Sequence, residues 1–196
     1  MNLNNLMVIL LSDKPSEKIK QYEEGIFKVL PELELCKGFE QHNSWHPYDV
    51  YEHTLRVVDG VPPVLSLRLA ALFHDIGKPI KFTTDSDGVG HFPFHWVESL
   101  RIFDKFIDNY EIDDKLLSDI RKLIYFHDLN IDRFDRNELV DFFSAFDNES
   151  LVHDLFKLKR ADINAQSYEK AVENDLFNTL DRQENEIIGR INFAKR

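Results

Sequence analysis

The sequence predicts an all-α domain, and three observations agree on this. Apolar residues recur at helical spacing along most of the 196 residues. Short polar breaks that carry proline, glycine or helix-capping residues separate these apolar stripes. Strand-type alternation occurs only loosely, in one stretch at about residues 80–92. We therefore expect seven or so helices and one small hairpin.

In the first part of the chain, capping residues and prolines mark the helix boundaries. Ser16 is expected to cap a helix that runs to about Leu30 and is ended by Pro31. A polar loop then precedes a helix over about 49–58, in which an aspartate is the expected cap. The next helix opens at Pro62-Pro63 and ends near residues 74–77.

The second part begins with the hairpin, because IKFTTDSDGVGHF carries Asp-Gly between β-prone flanks. The last helix is expected to pack either on the domain or on a second subunit, which would give a homodimer. Its inward residues are Leu176, Leu180, Ile187, Ile188 and Ile191. The helices predicted after the hairpin cover about 94–109, 113–127, 137–146, 149–166 and 168–193.

Composition and charge limit the cellular context. Hydrophobic residues make up 43% and charged residues 30% of the chain, which is ordinary for a globular protein. The formal net charge of −11 argues against an extended DNA-binding groove. The single cysteine, Cys36, excludes an internal disulfide and fits a reducing compartment. The run LMVILL is too short to span a bilayer, so we expect a cytoplasmic protein.

Ligand-type side chains fall on or beside the core-facing side of five predicted helices. A lone histidine there is more often a hydrogen-bonded core residue, but a buried unpaired carboxylate costs several kcal/mol. Imidazoles and carboxylates presented together predict a site for one octahedral divalent ion, or for two ions bridged by a carboxylate. The candidate ligands are His53, His74, Asp75, His95, His127 and Asp162.

The sequence also indicates roles for other polar and aromatic residues, and for some of them it leaves two roles open. Lys78 follows a helix end, where it is either a contact for a substrate phosphate or a cation favoured by the helix dipole. Trp45 and Trp96 are expected in the core rather than as stacking platforms, and so is the group Phe142, Phe143 and Phe146. His153 is expected to face solvent.

The pattern formed by His53, His74-Asp75 and Asp162 resembles the H…HD…D signature of the HD-domain metal-dependent phosphohydrolases. His95 and His127 are similar to the two extra histidines of the binuclear members. The likeness is closest to the HD domain of bacterial CCA-adding tRNA nucleotidyltransferases and covers about residues 25–167. It rests on four blocks in order, QHNSWHPYDVYEHTL, LAALFHDIGKP, DSDGVGHFPFH and LKRADINAQ.

This resemblance implies a single HD domain over residues 1–196, with the first and last helices as extensions. Residues 1–24 are too few for a nucleotidyltransferase core, so CCA addition is not implied. The turn FPFHW departs from the small residue and acid usual around His95 in that subfamily. Lys78-Pro79 stands where the alarmone hydrolases carry Glu-Asp, and the Gly-Tyr-Pro of cyclic-di-GMP enzymes is absent from the sequence.

The activity that the resemblance implies is metal-dependent hydrolysis of phosphomonoesters or (cyclic) phosphodiesters in nucleotides or RNA termini. One or two divalent ions would be required, drawn from Mg, Mn, Fe, Ni and Zn. Asp75 would bridge the ions and orient or deprotonate the attacking water, and Lys78 would contact the phosphate. His46 and His91 would bind substrate, although a surface-loop role fits the sequence equally well. The alternatives are a di-iron oxygenase of the same fold and a non-catalytic nucleotide- or phosphate-binding module.

Overall fold

A computed structural model describes residues 1–146 and 148–194, and it confirms the all-α prediction. A single 3₁₀ turn, Ile131–Arg133, accompanies the α-helices in this part of the chain. The helices are α1 Leu3–Leu10, α2 Pro15–Gln21, α3 Glu23–Phe27, α4 Pro31–Cys36, α5 Val50–Gly60, α6 Leu65–Phe73, α7 Lys78–Lys81, α8 His95–Ile107, α9 Asp114–Phe126, α10 Arg136–Ala145, α11 Glu149–Asn164, α12 Tyr168–Glu173 and α13 Leu176–Ala194.

The predicted hairpin is present and very short. Strands β1 (Thr83–Thr84) and β2 (Gly90–His91) pair antiparallel, with Thr83 opposite His91. The loop between them folds around Asp85, whose carboxylate accepts hydrogen bonds from the backbone amides of Asp87 and Val89. The hairpin lies between α7 and α8 in the chain, next to the start of the helix that carries His95.

Helix α6 is the centre of the core. Every residue from Ser66 to Phe73 is buried, and the helix packs against α5, α8, α9 and α11. A helix that is apolar on nearly all sides must be surrounded in this way to remove its surface from water. Its C-terminal end therefore delivers the following residues, His74 and Asp75, into the middle of the protein.

Several boundaries differ from the predictions for physical reasons. The helix expected over 16–30 is divided at Tyr22 into α2 and α3. Pro31 starts α4 instead of only ending the preceding helix, because proline is well accommodated in the first helical turn. The helix expected over 168–193 is broken by Asp175, whose positive φ of 53° separates α12 from α13.

Helix α13 packs on the domain, which is one of the two arrangements expected for it. It lies against α11, with Leu180, Ile187 and Ile191 buried in the common core. Among the described helices, none has the length and apolar character needed to cross a membrane.

Candidate metal centre

Five helices bring the six predicted ligand residues together. His53 lies within α5, and His74 and Asp75 directly follow α6. His95 is the first residue of α8, His127 caps the end of α9, and Asp162 lies in the last turn of α11. All six side chains are buried. Because helix ends meet here, the ligands converge without a loop of their own.

The six residues form two clusters that share Asp75. The first contains His53, His74, Asp75 and Asp162, and the second contains Asp75, His95 and His127. Within each cluster the ligand atoms lie within 4.8 Å of one another. The rings of His74 and His127 pack with centroids 5.0 Å apart, so the two clusters are in direct contact.

The two oxygens of Asp75 face different clusters. Oδ2 lies 3.2 Å from His53 Nε2 and 3.3 Å from His74 Nε2. Oδ1 lies 3.1 Å from His95 Nε2 and 3.6 Å from His127 Nε2. A carboxylate that presents one oxygen to each of two ligand sets is placed to bridge two ions.

Backbone carbonyls orient all four imidazoles. A carbonyl oxygen only accepts hydrogen bonds, so each Nδ1 donates to a carbonyl and each Nε2 faces the centre, where it can bind a metal ion once it is unprotonated. Partners of this kind are typical of histidines that bind metals. The Nδ1 contacts are His53 to Ala165 at 3.3 Å, His74 to Ala71 at 2.7 Å, His95 to Phe92 at 3.0 Å and His127 to Ile124 at 2.8 Å.

The inward Nε2 atoms lie close together in two pairs. Those of His53 and His74 are 3.3 Å apart, and those of His95 and His127 are 3.4 Å apart. Two unprotonated nitrogens at this distance repel each other unless a proton or a metal ion lies between them. With Asp75 and Asp162 present, the donor set fits divalent ions of borderline to hard character.

The charges in the centre are strongly coupled. Burial lowers the pKa of His53, but hydrogen bonds with Asp162 and Asp75 outweigh it and raise that pKa to about 9. Burial raises the pKa of Asp162, yet the neighbouring His53 and His74 hold it well below its usual range. Because metal ligands must be deprotonated, a divalent cation bound by these groups would displace the protons that they share.

A family model for the HD domain matches residues 44–163, which is more than half of the chain. The chain belongs to the HD domain family. The match includes all six clustered ligands, from His53 in α5 to Asp162 in α11. It ends before α12 and α13, so these two helices lie outside the matched region.

Curated relatives include a "CC-adding tRNA nucleotidyltransferase" of Thermus thermophilus, 39% identical over 44% of this chain and 21% of the relative. A "Multifunctional CCA protein" of Cupriavidus taiwanensis is 33% identical over 49% of this chain and 24% of the relative. Another from Chromobacterium violaceum is 37% identical over 36% and 19%, respectively. The matches thus cover less than half of this chain and between 19% and 24% of these proteins.

Lys78 lies against the shared carboxylate of this HD domain. Its Nζ is 2.7 Å from Asp75 Oδ2 and donates a 2.8 Å hydrogen bond to Gln41 Oε1. The side chain is buried, with 6% of its surface exposed. A compact positive charge is therefore fixed at the edge of the ligand clusters rather than at the protein surface.

The two predicted substrate histidines have different surroundings. The ring of His46 packs edge-on against that of His53, with centroids 5.5 Å apart. Burial lowers the pKa of His46 to about 3, so this imidazole is neutral near pH 7. His91 is exposed, and its Nε2 lies 2.9 Å from Asp85 Oδ2 in its own hairpin. The structure thus brings His46 to the centre and pairs His91 within the hairpin loop.

Three supporting residues are missing from the sequence-based prediction. Gln41 is buried and anchors Lys78, although its polar loop carries no signal for burial. Ser99 Oγ accepts a 3.0 Å hydrogen bond from the amide of Gly77, just after the His-Asp pair. Lys159 is buried on α11 and donates to the backbone carbonyl of His127 at 2.5 Å. Ser99 and Lys159 have a signal in the sequence, because Ser99 lies four residues after His95 and Lys159 three residues before Asp162, each on the same helix face.

Proposed function

We propose that this HD domain is a metal-dependent phosphohydrolase that cleaves phosphomonoesters or (cyclic) phosphodiesters of nucleotides or RNA termini. One observation carries the proposal: Asp75 directs its two oxygens to two separate clusters of inward-pointing imidazoles. HD domains form a superfamily of metal-dependent hydrolases, and the donor set here fits divalent ions. The metal, one or two ions of Mg, Mn, Fe, Ni or Zn, belongs to the same proposal.

The ligands would be His53, His74, Asp75 and Asp162 on one side and Asp75, His95 and His127 on the other. When bound, divalent ions supply positive charge for phosphate oxygens and lower the pKa of a bound water toward neutral, so that hydroxide forms near neutral pH. The carboxylate of Asp75 would orient the attacking water or accept its proton.

Side chains beside the ligand clusters support the same reaction. Lys78 Nζ, already held near Asp75, would stabilise charge on a non-bridging phosphate oxygen. His46 beside His53 would contact the substrate as a neutral imidazole. His91 would have to leave its pairing with Asp85 to do the same.

The names of the relatives support RNA ends as one substrate class. The Thermus thermophilus relative is named as an enzyme that adds CC to tRNA, and this chain matches only a fifth of it. That this chain acts on a tRNA-related substrate is therefore part of the proposal. Nucleoside monophosphates, 2′,3′-cyclic phosphates and phosphorylated RNA ends present the same reacting group.

The test is a metal-by-substrate screen on the purified protein, with elemental analysis of its metal content. The chelated protein should be inactive, and at least one reloaded metal should restore phosphate release from a nucleotide or an RNA terminus. Asp75→Ala should abolish turnover, because it removes the ligand shared by both clusters. Asp87→Ala, at an exposed position in the hairpin loop, is the matched control and should retain activity.

Two outcomes would overturn the proposal. In the first, no metal-loaded protein cleaves any phosphoester of the panel, or Asp75→Ala is as active as the wild type. In the second, the iron-loaded protein consumes oxygen and shows no phosphoesterase activity, which would favour the oxygenase alternative. Binding of nucleotides without any turnover would favour the binding-module alternative.

A further inference from the structure

A cleft of about 220 Å³ opens directly beside the metal centre. We call it the α13 cleft. The ligands His127 and Asp162 form its inner end, so a molecule in the cleft would lie next to the reacting group. The other lining residues are Asp128, Leu129, Asn130, Lys159, Ile163, Gln166, Leu176, Thr179, Leu180 and Gln183.

The outer wall of the cleft belongs to this chain's own C-terminal helix. Thr179, Leu180 and Gln183 lie on α13, whereas the HD family match ends at residue 163. Helix α13 packs on α11, which carries Asp162, so its side chains face the metal centre across the cleft. A recognition surface that lies outside the family match can differ between relatives that share the same chemistry.

The charges in the cleft do not suit a second phosphate or a polyphosphate chain. Apart from the two ligands, the charged side chains of its lining are Asp128 and Lys159. The Lys159 Nζ already donates to the carbonyls of His127 and Leu129, at 2.5 and 3.0 Å. Anionic groups are bound by several free cations or amides, and this cleft offers few.

Its walls instead combine aliphatic surface with an amide pair. Leu129, Ile163 and Leu180 supply the aliphatic part. Gln183, only 5% exposed, donates from Nε2 to Asn130 Oδ1 at 3.3 Å. Asn130 Oδ1 also accepts a 3.1 Å hydrogen bond from the amide of Asp132, and the Gln183 side chain also hydrogen-bonds the Asp132 carboxylate. Within residues 1–146 and 148–194, these contacts leave Gln183 Oε1 and Asn130 Nδ2, one acceptor and one donor of the cleft lining, without a hydrogen bond.

We infer that the α13 cleft binds the base of a nucleoside, and that Gln183 and Asn130 are specificity-determining residues. A nucleobase is flat, uncharged and largely apolar, and its edge carries neighbouring donors and acceptors that amide side chains match. The inference rests on the proposed function in one respect, because it places the nucleoside of the phosphoester beside the metals. It also deepens that function, since it makes a nucleoside part of the substrate.

Nucleoside binding tests the cleft without any need for turnover. Adenosine, guanosine, cytidine, uridine and ribose would be titrated into chelated and metal-loaded protein by calorimetry. At least one nucleoside should bind in both states, and ribose, which lacks a base, should not. Gln183→Ala should weaken nucleoside binding by about tenfold, because it removes the base contact. Asn185→Ala, exposed on the same helix, is the matched control and should leave binding unchanged.

Because Gln183 is buried, a second variant guards against a folding defect. Thr179→Trp keeps both amides and fills the cleft from a half-buried position on α13, so it should also abolish nucleoside binding. The inference is overturned if no nucleoside binds the wild type, or if neither variant weakens binding. If nucleosides bind as expected but no phosphoester is cleaved, the cleft assignment stands and the proposed function fails. If nucleotides are cleaved but nucleosides do not bind, the opposite holds.

Discussion

At the scale of single residues, Lys78 has two interpretations: it balances the charge of Asp75, or it contacts the phosphate of a substrate. Its ammonium group lies 2.7 Å from Asp75 Oδ2 and balances that charge. If divalent ions bound Asp75 as proposed, the same group would be available to a phosphate oxygen. A lysine that only balances Asp75 should matter for stability and not for turnover, because removing one partner of a buried ion pair leaves the other charge unpaired, so substitution separates the two interpretations.

Lys78→Met should lower phosphoesterase activity by roughly tenfold to a thousandfold while the metal content stays normal. Methionine fills the space of the lysine stem but carries no charge for the phosphate. Steady-state kinetics and elemental analysis would measure both effects. Lys81→Met, at the end of the same short helix α7, should be nearly neutral. Loss of metal in the Lys78 variant would assign the residue to the ligand set rather than to the phosphate.

Phe94, the residue before His95, has a strained backbone conformation. It has φ 58° and ψ 27°, in the left-handed region, and its side chain is 64% exposed. This conformation costs a non-glycine residue about 1–2 kcal/mol. The pair Phe94→Ala and Phe94→Gly separates the strain from the ring, because only glycine relieves the backbone.

In chemical unfolding, Phe94→Gly should therefore be more stable than Phe94→Ala by about 1 kcal/mol. Equal stability of the two variants would show that the left-handed conformation is not maintained in solution. Both variants lose the aromatic ring, whose centroid lies 5.6 Å from that of Trp96, so this loss cancels in the comparison.

At the residue scale, the sequence indicates burial where a side chain lies on a periodic stripe. His127 and Asp162 end apolar series at helical spacing, and the structure brings both into the clusters. Gln41 shows the limit, because its burial results from Lys78, 37 positions away in the chain. Contacts of that kind depend on how loops pack, and no local pattern encodes them.

At the scale of elements, the turn between α6 and α7 approaches α8 closely at Gly77. A Cβ added there would lie 2.5 Å from the carbonyl oxygen of His95 and 2.7 Å from the backbone nitrogen of Ser99. Real Cβ atoms do not approach backbone atoms so closely, so α8 would have to move. The amide of Gly77 also donates to Ser99 Oγ, which fixes the start of α8 against the His-Asp turn.

Gly77→Ala should destabilise the protein by about 1–3 kcal/mol and should weaken binding at the cluster that contains His95. Urea unfolding and metal stoichiometry would measure the two effects. Gly189→Ala is the matched control, since the space around this glycine of α13 is open. That variant should be more stable by roughly 0.5–1 kcal/mol, because alanine favours the helix. A neutral Gly77→Ala would contradict the close approach.

Element boundaries are less predictable than element existence. A proline both ends one helix and fits the first turn of the next, so Pro31 alone does not distinguish the two cases. Asp175 breaks the C-terminal segment because its backbone is in the left-handed conformation, which aspartate adopts only in a suitable context. The longer helices α8, α9 and α11 agree with prediction within a few residues, because each buries a continuous stripe.

At the scale of the whole molecule, the metal centre joins five helices that are far apart in the sequence. The ligands extend from His53 to Asp162 and meet only in the folded chain. Ions bound there would stabilise the native state over the unfolded state, because the unfolded chain has no preformed site. The centre is therefore expected to contribute to stability as well as to function.

Chelation should accordingly lower the stability of the protein, and restoring a divalent ion should recover it. At a free metal concentration of 100 times the dissociation constant, each occupied site adds about 2.7 kcal/mol. The double variant His95→Ala/His127→Ala keeps the four-residue cluster and removes two of the three ligands of the other. It should bind one ion where the wild type binds two, and it should lose about half of the metal-dependent stabilisation. Elemental analysis with thermal unfolding measures both quantities, and an unchanged stoichiometry in the double variant would rule out a second ion at His95 and His127.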